Sequence, residues 1–282
     1  MAIVVWLIVA EFLYVRALRV LGRRGVSVPH GQVACWHLGL GLQAIALLSP
    51  LGWLADELLS AHMAEHLLLA DLGAPLLLAG LRNPVLGFFL PRDVLVAVAR
   101  RRRLRAAFRW LRRPLVALPV YAVVLYGWHL SFAFEAAVRH ELVHVAQHAT
   151  FIFAGVLVWW SALEPKRRQL RGELWKIGHI IAARMVGMFL GMAFVLMREP
   201  AYTGVYGSGE RRGIDALADQ QTAGAMMVAL DIVIMVFALA FFFWHAGRQH
   251  DRDEAAAAAR DERARAAAST GAPERAGAAT PR

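Results

Sequence analysis

The chain has 282 residues, of which 59% are hydrophobic, and an excess of Lys and Arg gives it a net charge of +10. So few polar residues cannot cover the surface of a water-soluble globule, which excludes that class. The positive charge lies between the apolar runs and in the C-terminal stretch, as in membrane proteins, and this argues against nucleic-acid binding. The single cysteine, Cys35, excludes an internal disulfide and a thiolate-rich metal site within one chain.

Seven apolar segments follow one another, each near the roughly 20 residues that cross a hydrocarbon core. In lipid the backbone must satisfy its own hydrogen bonds, so we predict an all-α, polytopic transmembrane helical bundle of about seven spans. The first segment lacks the basic start and cleavage site of a signal peptide, so we expect a retained span. The predicted spans are Ala2–Val20, Val33–Pro50, Ala61–Leu81, Leu115–Ala137, Leu142–Leu163, Ile177–Met197 and Gln221–Trp244.

The charge of the connecting segments predicts the orientation. Between the third and fourth spans, residues 82–114 hold ten arginines and a single acidic residue, Asp93. The positive-inside rule makes this connection and its alternates cytoplasmic, with the N-terminus out and the C-terminus in. We therefore expect residues 1–246 to form the membrane domain and residues 247–282 a disordered or frayed helical cytoplasmic tail. The connection after the fifth span has the basic residues Lys166, Arg167, Arg168, Arg171 and Lys176.

Histidines concentrate at the predicted extracytoplasmic ends of three spans. His62/His66 and His144/His148 each have a spacing of four, which places two imidazoles on one helix face. Neutral imidazole binds copper, zinc, iron or nickel, and polar residues at membrane depth are functional by default. We predict a metal or haem site here, although a single interfacial histidine is usually only a hydrogen-bonding group. The predicted ligands are His62, His66, His129, His140, His144 and His148, with Met63, Asp219 and Met227 as accessory residues.

Three ionisable residues are predicted deep in the bilayer: Asp71, Arg184 and Asp231. An isolated buried charge is costly, so we expect Arg184 to pair with Asp231 or Asp71 as a structural lock, with a proton path as the alternative. Some of the acidic residues at the level of the histidines are expected to orient imidazole N–H groups. The acidic residues at this level are Asp56, Glu65, Glu135 and Glu141.

Four strings carry a family resemblance: SAHMAEHLLLADLGAPLLLAG, YGWHLSFAFEAAVRHELVHVAQHATFIFAGVLVWW, REPAYTGVYG and ADQQTAGAMM. Together they resemble the polytopic CtaG family of assembly factors for caa3-type cytochrome c oxidase, over about residues 37–244. The family pattern differs at Pro75, which stands alone where a double proline is usual, and at Ser131, where a proline is common. The residues that the family pattern shares with this chain are the histidines already named, together with Met63, Asp219, Gln220 and Met227.

The resemblance implies a non-enzymatic assembly factor in the bacterial plasma (inner) membrane, with copper as the metal it handles. Its implied partners are cytochrome c oxidase subunits, a periplasmic or extracellular copper chaperone and the lipid bilayer, but no nucleic acid. Two alternatives stay open on the residues. One is a histidine-ligated haem or di-metal oxidoreductase, and the other is a copper permease.

Overall fold

The computed structural model describes residues 2–163 and 174–270, and in these ranges it is an assembly of helices, as predicted. The first half of the chain contains α1 (Ala2–Arg23), α2 (His30–Leu48), α3 (Leu51–Ala55), α4 (Leu59–His66), a π-helical turn (Leu67–Gly73), α5 (Ala74–Gly80), α6 (Leu86–Phe89), α7 (Arg92–Arg100) and α8 (Arg102–Leu111). The second half contains α9 (Pro114–Trp128), α10 (Ser131–Arg139), α11 (Glu141–Leu163), α12 (Leu174–Leu196), α13 (Thr203–Tyr206) and α14 (Ala216–Thr270).

Five helices of the described residues are long and apolar enough to cross a membrane, or six if the bent pair α9 and α10 is one span. The five are α2, the helix Leu59–Gly80, α11, α12 and α14, so the expected count of seven is not confirmed. The predicted first span, α1, is helical but is not among them. Its charged groups are bonded to neighbours: Glu11 accepts from the Trp36 indole at 2.9 Å, and Arg16 donates to the Phe88 carbonyl at 3.0 Å. The number of spans and their orientation stay predictions.

The predicted fourth span is broken. Its two halves, α9 and α10, meet at 71°, with His129 and Leu130 at the corner. The backbone of Leu130 is extended, which ends one helix and redirects the next. Because α10 turns aside, its residue Phe134 becomes fully buried and packs its ring 4.8 Å from that of His62. The break therefore gives the histidines an apolar neighbour that a straight helix would carry elsewhere.

The stretch after residue 246, expected to be a disordered or frayed helical tail, is helical as far as Thr270. Helix α14 continues to Thr270, and alanine, arginine and glutamate, which fill this stretch, are strong helix formers. Its side chains are almost all exposed up to Arg265, so it projects from the bundle. The remaining tail residues, 271–282, and the basic residues Lys166, Arg167, Arg168 and Arg171 lie outside the described part of the chain.

Glycines bring two helix pairs into close contact. A Cβ added to Gly39 of α2 would lie 2.8 Å from the Leu77 backbone nitrogen of α5. A Cβ on Gly191 of α12 would lie 2.8 Å from the Gly224 carbonyl of α14. Lipid is as apolar as the side chains, so membrane helices associate largely through such close packing. The glycines thereby fix how far apart the helices stand.

The bundle has two chemically different ends. At one end, Asp219 at the start of α14 accepts a hydrogen bond from the Leu59 amide at the start of α4. At the other, the Ser161 hydroxyl donates to the Arg112 carbonyl at 2.9 Å, next to the arginine-rich α8. Helix α11 connects the two over 23 residues, or roughly 34 Å. The basic helices thus lie opposite the histidines, as the charge pattern predicts.

Candidate metal centre

Four histidine side chains from two helices meet near one end of the bundle. His62 and His66 lie one turn apart on α4, and His144 and His148 lie one turn apart on α11. Ring centroids are 4.5 Å apart within the first pair, 4.2 Å within the second, and 5.1 Å between His62 and His144. The ring of His66 lies 4.9 Å from that of His148. The two predicted pairs therefore form one group of four rings, which we call the histidine cluster.

Five ring nitrogens of the histidine cluster are buried without a hydrogen bond to the described residues. Within the described part of the chain, nothing bonds to Nε2 of His62, His144 or His148, or to either ring nitrogen of His66. An unpaired buried polar group costs about 1–3 kcal/mol, so a well-packed core rarely collects several in one place. A metal ion that accepts their lone pairs satisfies them together. The donor set therefore fits a soft or borderline metal ion.

The Ala55 carbonyl lies near the ring of His62. Because a carbonyl only accepts, a ring N–H of His62 is the group that suits it. Nε2 of His62 has no partner among the described residues. Metal-binding histidines commonly have their second nitrogen oriented by a carbonyl.

Glu65 joins the cluster as a fifth donor. It is 3% exposed, and its Oε1 lies 3.8 Å from Nε2 of His148, too far for a hydrogen bond. The sequence predicts Glu65 only as an orienting partner, but the H-x-x-E-H spacing of residues 62–66 is a signal that places it with both histidines. Two groups of donors, each with ligand atoms within 4.8 Å of one another, result: His62, His66 and His144, and Glu65, His144 and His148.

His129 also has a buried ring nitrogen without a partner in the described residues, but it lies outside both groups. Its Nδ1 donates to the Leu125 carbonyl at 2.7 Å, and its Nε2 has no partner in residues 2–163 and 174–270. Its ring lies 6.3 Å from Phe134 and 6.0 Å from Phe151, and the same two rings contact the histidine cluster at 4.8 and 4.7 Å. The same two rings thus neighbour both His129 and the cluster.

The sixth predicted ligand, His140, is not brought to the cluster. It lies exposed at the end of α10, with its amide bonded to the Ala136 carbonyl at 3.0 Å. Its spacing of four from His144 would continue the ligand stripe only if the helix began earlier. Because α11 begins at Glu141, this residue lies outside the regular helix.

Of the three accessory residues, two lie in the apolar core and one lies at a helix terminus. Met63 and Met227 are 2% and 5% exposed and pack in the apolar core. Asp219 accepts hydrogen bonds from the Leu59 amide at 2.6 Å, the Ser60 amide at 3.1 Å and the Ser60 hydroxyl. It therefore caps the N-terminus of α4 from another helix, where a carboxylate bonds the free N–H groups. This cap holds the helix that bears two of the histidines.

Two tyrosines hold the carbonyls behind the histidines. Tyr206 donates to the Ala55 carbonyl at 2.8 Å, a carbonyl that lies near the ring of His62, and Tyr202 donates to the carbonyl of His129 at 2.8 Å. Burial raises the pKa of both hydroxyls, so they stay protonated donors at neutral pH. Sequence reasoning missed them, because the segment that contains them was notable only for its family resemblance.

The expected pairing of Arg184 is confirmed, and it involves both aspartates. Its Nη1 lies 2.5 Å from Oδ1 of Asp71 and 2.7 Å from Oδ1 of Asp231, and the arginine is 1% exposed. Its guanidinium also lies 5.8 Å from the ring of Tyr121. The charges of three helices thus meet deep in the bundle.

The π-helical turn connects this charge group to the histidine cluster. It begins directly after His66 and contains Asp71. A π-helical turn leaves a backbone carbonyl without its usual partner, and here Gln43 donates to the Leu69 carbonyl at 2.7 Å. Such turns are frequent at functional sites. The turn thus continues α4 while setting Asp71 toward Arg184.

A family profile described as cytochrome c oxidase caa3 assembly factor, CtaG, matches residues 12–249. The matched region contains the histidine cluster, Glu65, His129 and the ion pairs of Arg184. No curated protein and no solved structure shows significant similarity to the chain. Since the match covers well over half of the chain, the protein belongs to the family of cytochrome c oxidase caa3 assembly factors.

Proposed function

We propose that this assembly factor takes up copper as cargo at the histidine cluster and passes it to the oxidase while the oxidase is assembled. The observation that supports this most directly is the set of buried histidine nitrogens without partners in the described residues. Copper is the substrate of such a transfer, so the protein needs a site that both binds and releases it. Neutral imidazoles exchange more readily than thiolates, and this suits transfer rather than storage.

The choice of copper combines the donor type with the family. Imidazole also suits zinc, iron and nickel, so the ligands alone leave the metal open. The partner of the family is a cytochrome c oxidase, and the sequence resemblance implies copper handling. The only cysteine of the chain, Cys35, lies on α2 and belongs to neither donor group of the described residues. Histidine and Glu65 would therefore coordinate the copper without a thiolate ligand.

The partners follow from the side on which the cluster is predicted to lie. Copper would come from a chaperone at the extracytoplasmic face, and an oxidase subunit in the same bacterial plasma membrane would receive it. Transfer between ligand sets breaks no covalent bond of a substrate, and the family description is of assembly rather than catalysis. We therefore propose a non-enzymatic role.

Two observations weigh against the alternatives. The rings of His62 and His144 are stacked at 5.1 Å, a packing that favours a bare ion over a macrocycle between them. A permease would need a polar path through the bundle, and Arg184 is instead held between Asp71 and Asp231.

The test is the metal content and visible spectrum of the detergent-purified protein after loading with Cu(I) under reducing conditions. We expect about one copper per chain, because this set of donors is enough to coordinate one ion. The variant with His62, His66, His144 and His148 changed to alanine should lose it. A matched control changes the exposed His30 and His250 to alanine and should keep it.

Each other outcome has a definite meaning. A Soret band in the purified protein would favour the haem-binding oxidoreductase. Copper that stays bound in the four-histidine variant would place the site elsewhere. If neither protein binds copper after reductive loading, the copper proposal fails, and a scaffolding role in oxidase assembly is the remaining function.

A further inference from the structure

The histidine cluster contains two ligand sets that share one residue. His62, His66 and His144 form one set, and Glu65, His144 and His148 form the other. In each set the ligand atoms lie within 4.8 Å of one another, the spacing of donors around one ion. We call the first the enclosed position and the second the open position.

The shared residue makes the two positions exclusive. A neutral imidazole has one lone pair available to a metal, and its other nitrogen carries a proton. His144 presents a buried Nε2 without a partner in the described part of the chain. It can therefore bind an ion in either position, but not two ions together unless its second proton is lost. When an ion occupies one position, the two unshared donors of the other position are not bonded to it.

The surroundings of the two positions differ. In the enclosed position, His62 and His66 are 1% and 7% exposed, and aromatic rings of Phe134 and Phe151 lie 4.8 and 4.7 Å from them. All three of its ligands are neutral. The apolar neighbours shield this position from ligand exchange with outside groups.

The open position has a different charge and a freer approach. Glu65 supplies a carboxylate, which attracts a cation more strongly than imidazole does at close range. His148 is more exposed, at 13% of its side chain, and its helix presents Val145 to the surroundings at 54% exposure. An acceptor that approaches α11 would therefore meet an ion in the open position first.

We propose that a single copper ion moves between the enclosed and open positions while it stays bound to His144. This inference rests on the proposed function. The step is a ligand exchange without electron transfer: the bonds from the ion to His62 and His66 break as bonds to Glu65 and His148 form. The enclosed position holds the cargo, and the open position presents it.

The test uses three variants of the full-length, detergent-purified chain, loaded with Cu(I) and separately with Cu(II). The first changes Glu65 and His148 to glutamine, the second changes His62 and His66 to glutamine, and the third changes His144 to glutamine. His30→Gln with His250→Gln is the control, because both residues are exposed. Size-exclusion elution and thermal unfolding report whether each variant is folded.

We expect the first two variants to bind one copper each, because each keeps one complete ligand set. Electron paramagnetic resonance of bound Cu(II) should show three coupled nitrogens in the first variant and two in the second. The first variant should release Cu(I) to a competing chelator more slowly than the unaltered protein, by a factor on the order of ten. Loss of a group that only supports a metal ligand already changes metal affinity by about that factor or more. His144→Gln should weaken binding more than either pair.

Three results would overturn the two-position arrangement while leaving copper binding itself intact. These are two coppers bound at once to the unaltered chain, loss of all binding in both paired variants, or release rates unaffected by the loss of Glu65 and His148. Failure of the proposed function looks different, because the unaltered chain would then bind no copper at all.

Discussion

At the histidine cluster, the chemistry depends on which nitrogen of each ring is occupied. The Leu125 carbonyl accepts from Nδ1 of His129, so that ring offers Nε2, and Nε2 of His62 likewise has no partner in the described residues. Tyr206 donates to the Ala55 carbonyl, which lies near the ring of His62. Support of this kind ties copper affinity to residues that never touch the ion.

Tyr206→Phe tests that support. Loss of its hydroxyl frees the Ala55 carbonyl on one side, and copper affinity should fall on the order of tenfold. Copper competition titration measures the change. Tyr126→Phe is the matched control, because its hydroxyl donates to the Val186 carbonyl at 3.1 Å, away from the cluster. Equal affinities in the two variants would show that the tyrosine has no part in positioning the ligand.

Arg184 is the residue on which the buried charge group depends. Arg184→Gln leaves Asp71 and Asp231 without their cation, and removal of one partner from a buried ion pair costs about 3–5 kcal/mol. Thermal unfolding in detergent should register this as a clear loss of stability. The triple variant with Asp71→Asn and Asp231→Asn should recover part of it, because no charge is then left unpaired. An unchanged midpoint for Arg184→Gln would remove the structural-lock interpretation.

A surface ion pair gives a pH dependence whose sign can be stated. The hydrogen bond from Arg212 lowers the pKa of Glu57 below its ordinary value of 4.5. The carboxylate is bonded only in the folded state, so its contribution is present above pH 4.5 and is lost as the pH falls below it. The difference in unfolding midpoint between the unaltered protein and Glu57→Gln should thus narrow toward zero in acid. A difference that widens in acid would reverse the assigned sign.

Among the elements, the helix Leu59–Gly80 has two roles, because it bears ligands at one end and packs against α2 at the other. Its π-helical turn relies on Gln43 of α2 to bond the Leu69 carbonyl. Two glycines, Gly39 of α2 and Gly80 of α5, allow the same helices to touch. Contact between these helices therefore affects both the turn and, one turn earlier, His66.

Two glycines of α2 form a matched pair for this contact. At Gly39 an added Cβ would lie 2.8 Å from the Leu77 backbone nitrogen, whereas at Gly41 it would meet nothing within 4 Å. Gly39→Ala must push α2 and α5 apart and should destabilise the protein by about 1–3 kcal/mol. Gly41→Ala should be neutral or slightly stabilising, because alanine favours helix. The thermal unfolding midpoints of the two variants test this expectation, and equal midpoints would contradict the close packing at Gly39.

For the whole molecule, copper binding and stability should be linked. An ion that binds only the folded cluster stabilises the protein by about 2.7 kcal/mol at a hundred times its dissociation constant. Cu(I) should therefore raise the unfolding midpoint of the unaltered chain, and a chelator should reverse the rise. The variant without its four cluster histidines should show no rise. A rise of equal size in that variant would assign the effect to binding elsewhere.

The two ends of the bundle also follow from the whole chain. Arginines gather on α7 and α8, and the histidines gather on α4 and at the start of α11. The sequence predicts this separation, because positive charge marks the connections that are not translocated. It does not predict that the connection 82–114 forms helices, since ten arginines mask their short apolar faces.

The sequence by itself determined the helical membrane character, the two i, i+4 histidine pairs and the family, because apolar length, helix periodicity and residue strings are properties of the chain read in order. Only the tertiary structure decided which donors converge. It brings in Glu65, leaves His140 exposed and keeps His129 out of both donor groups. It also places Asp219 at the N-terminus of α4, where it caps the helix. These outcomes depend on a break between α9 and α10 and on contacts between residues up to 160 positions apart, which no local pattern records.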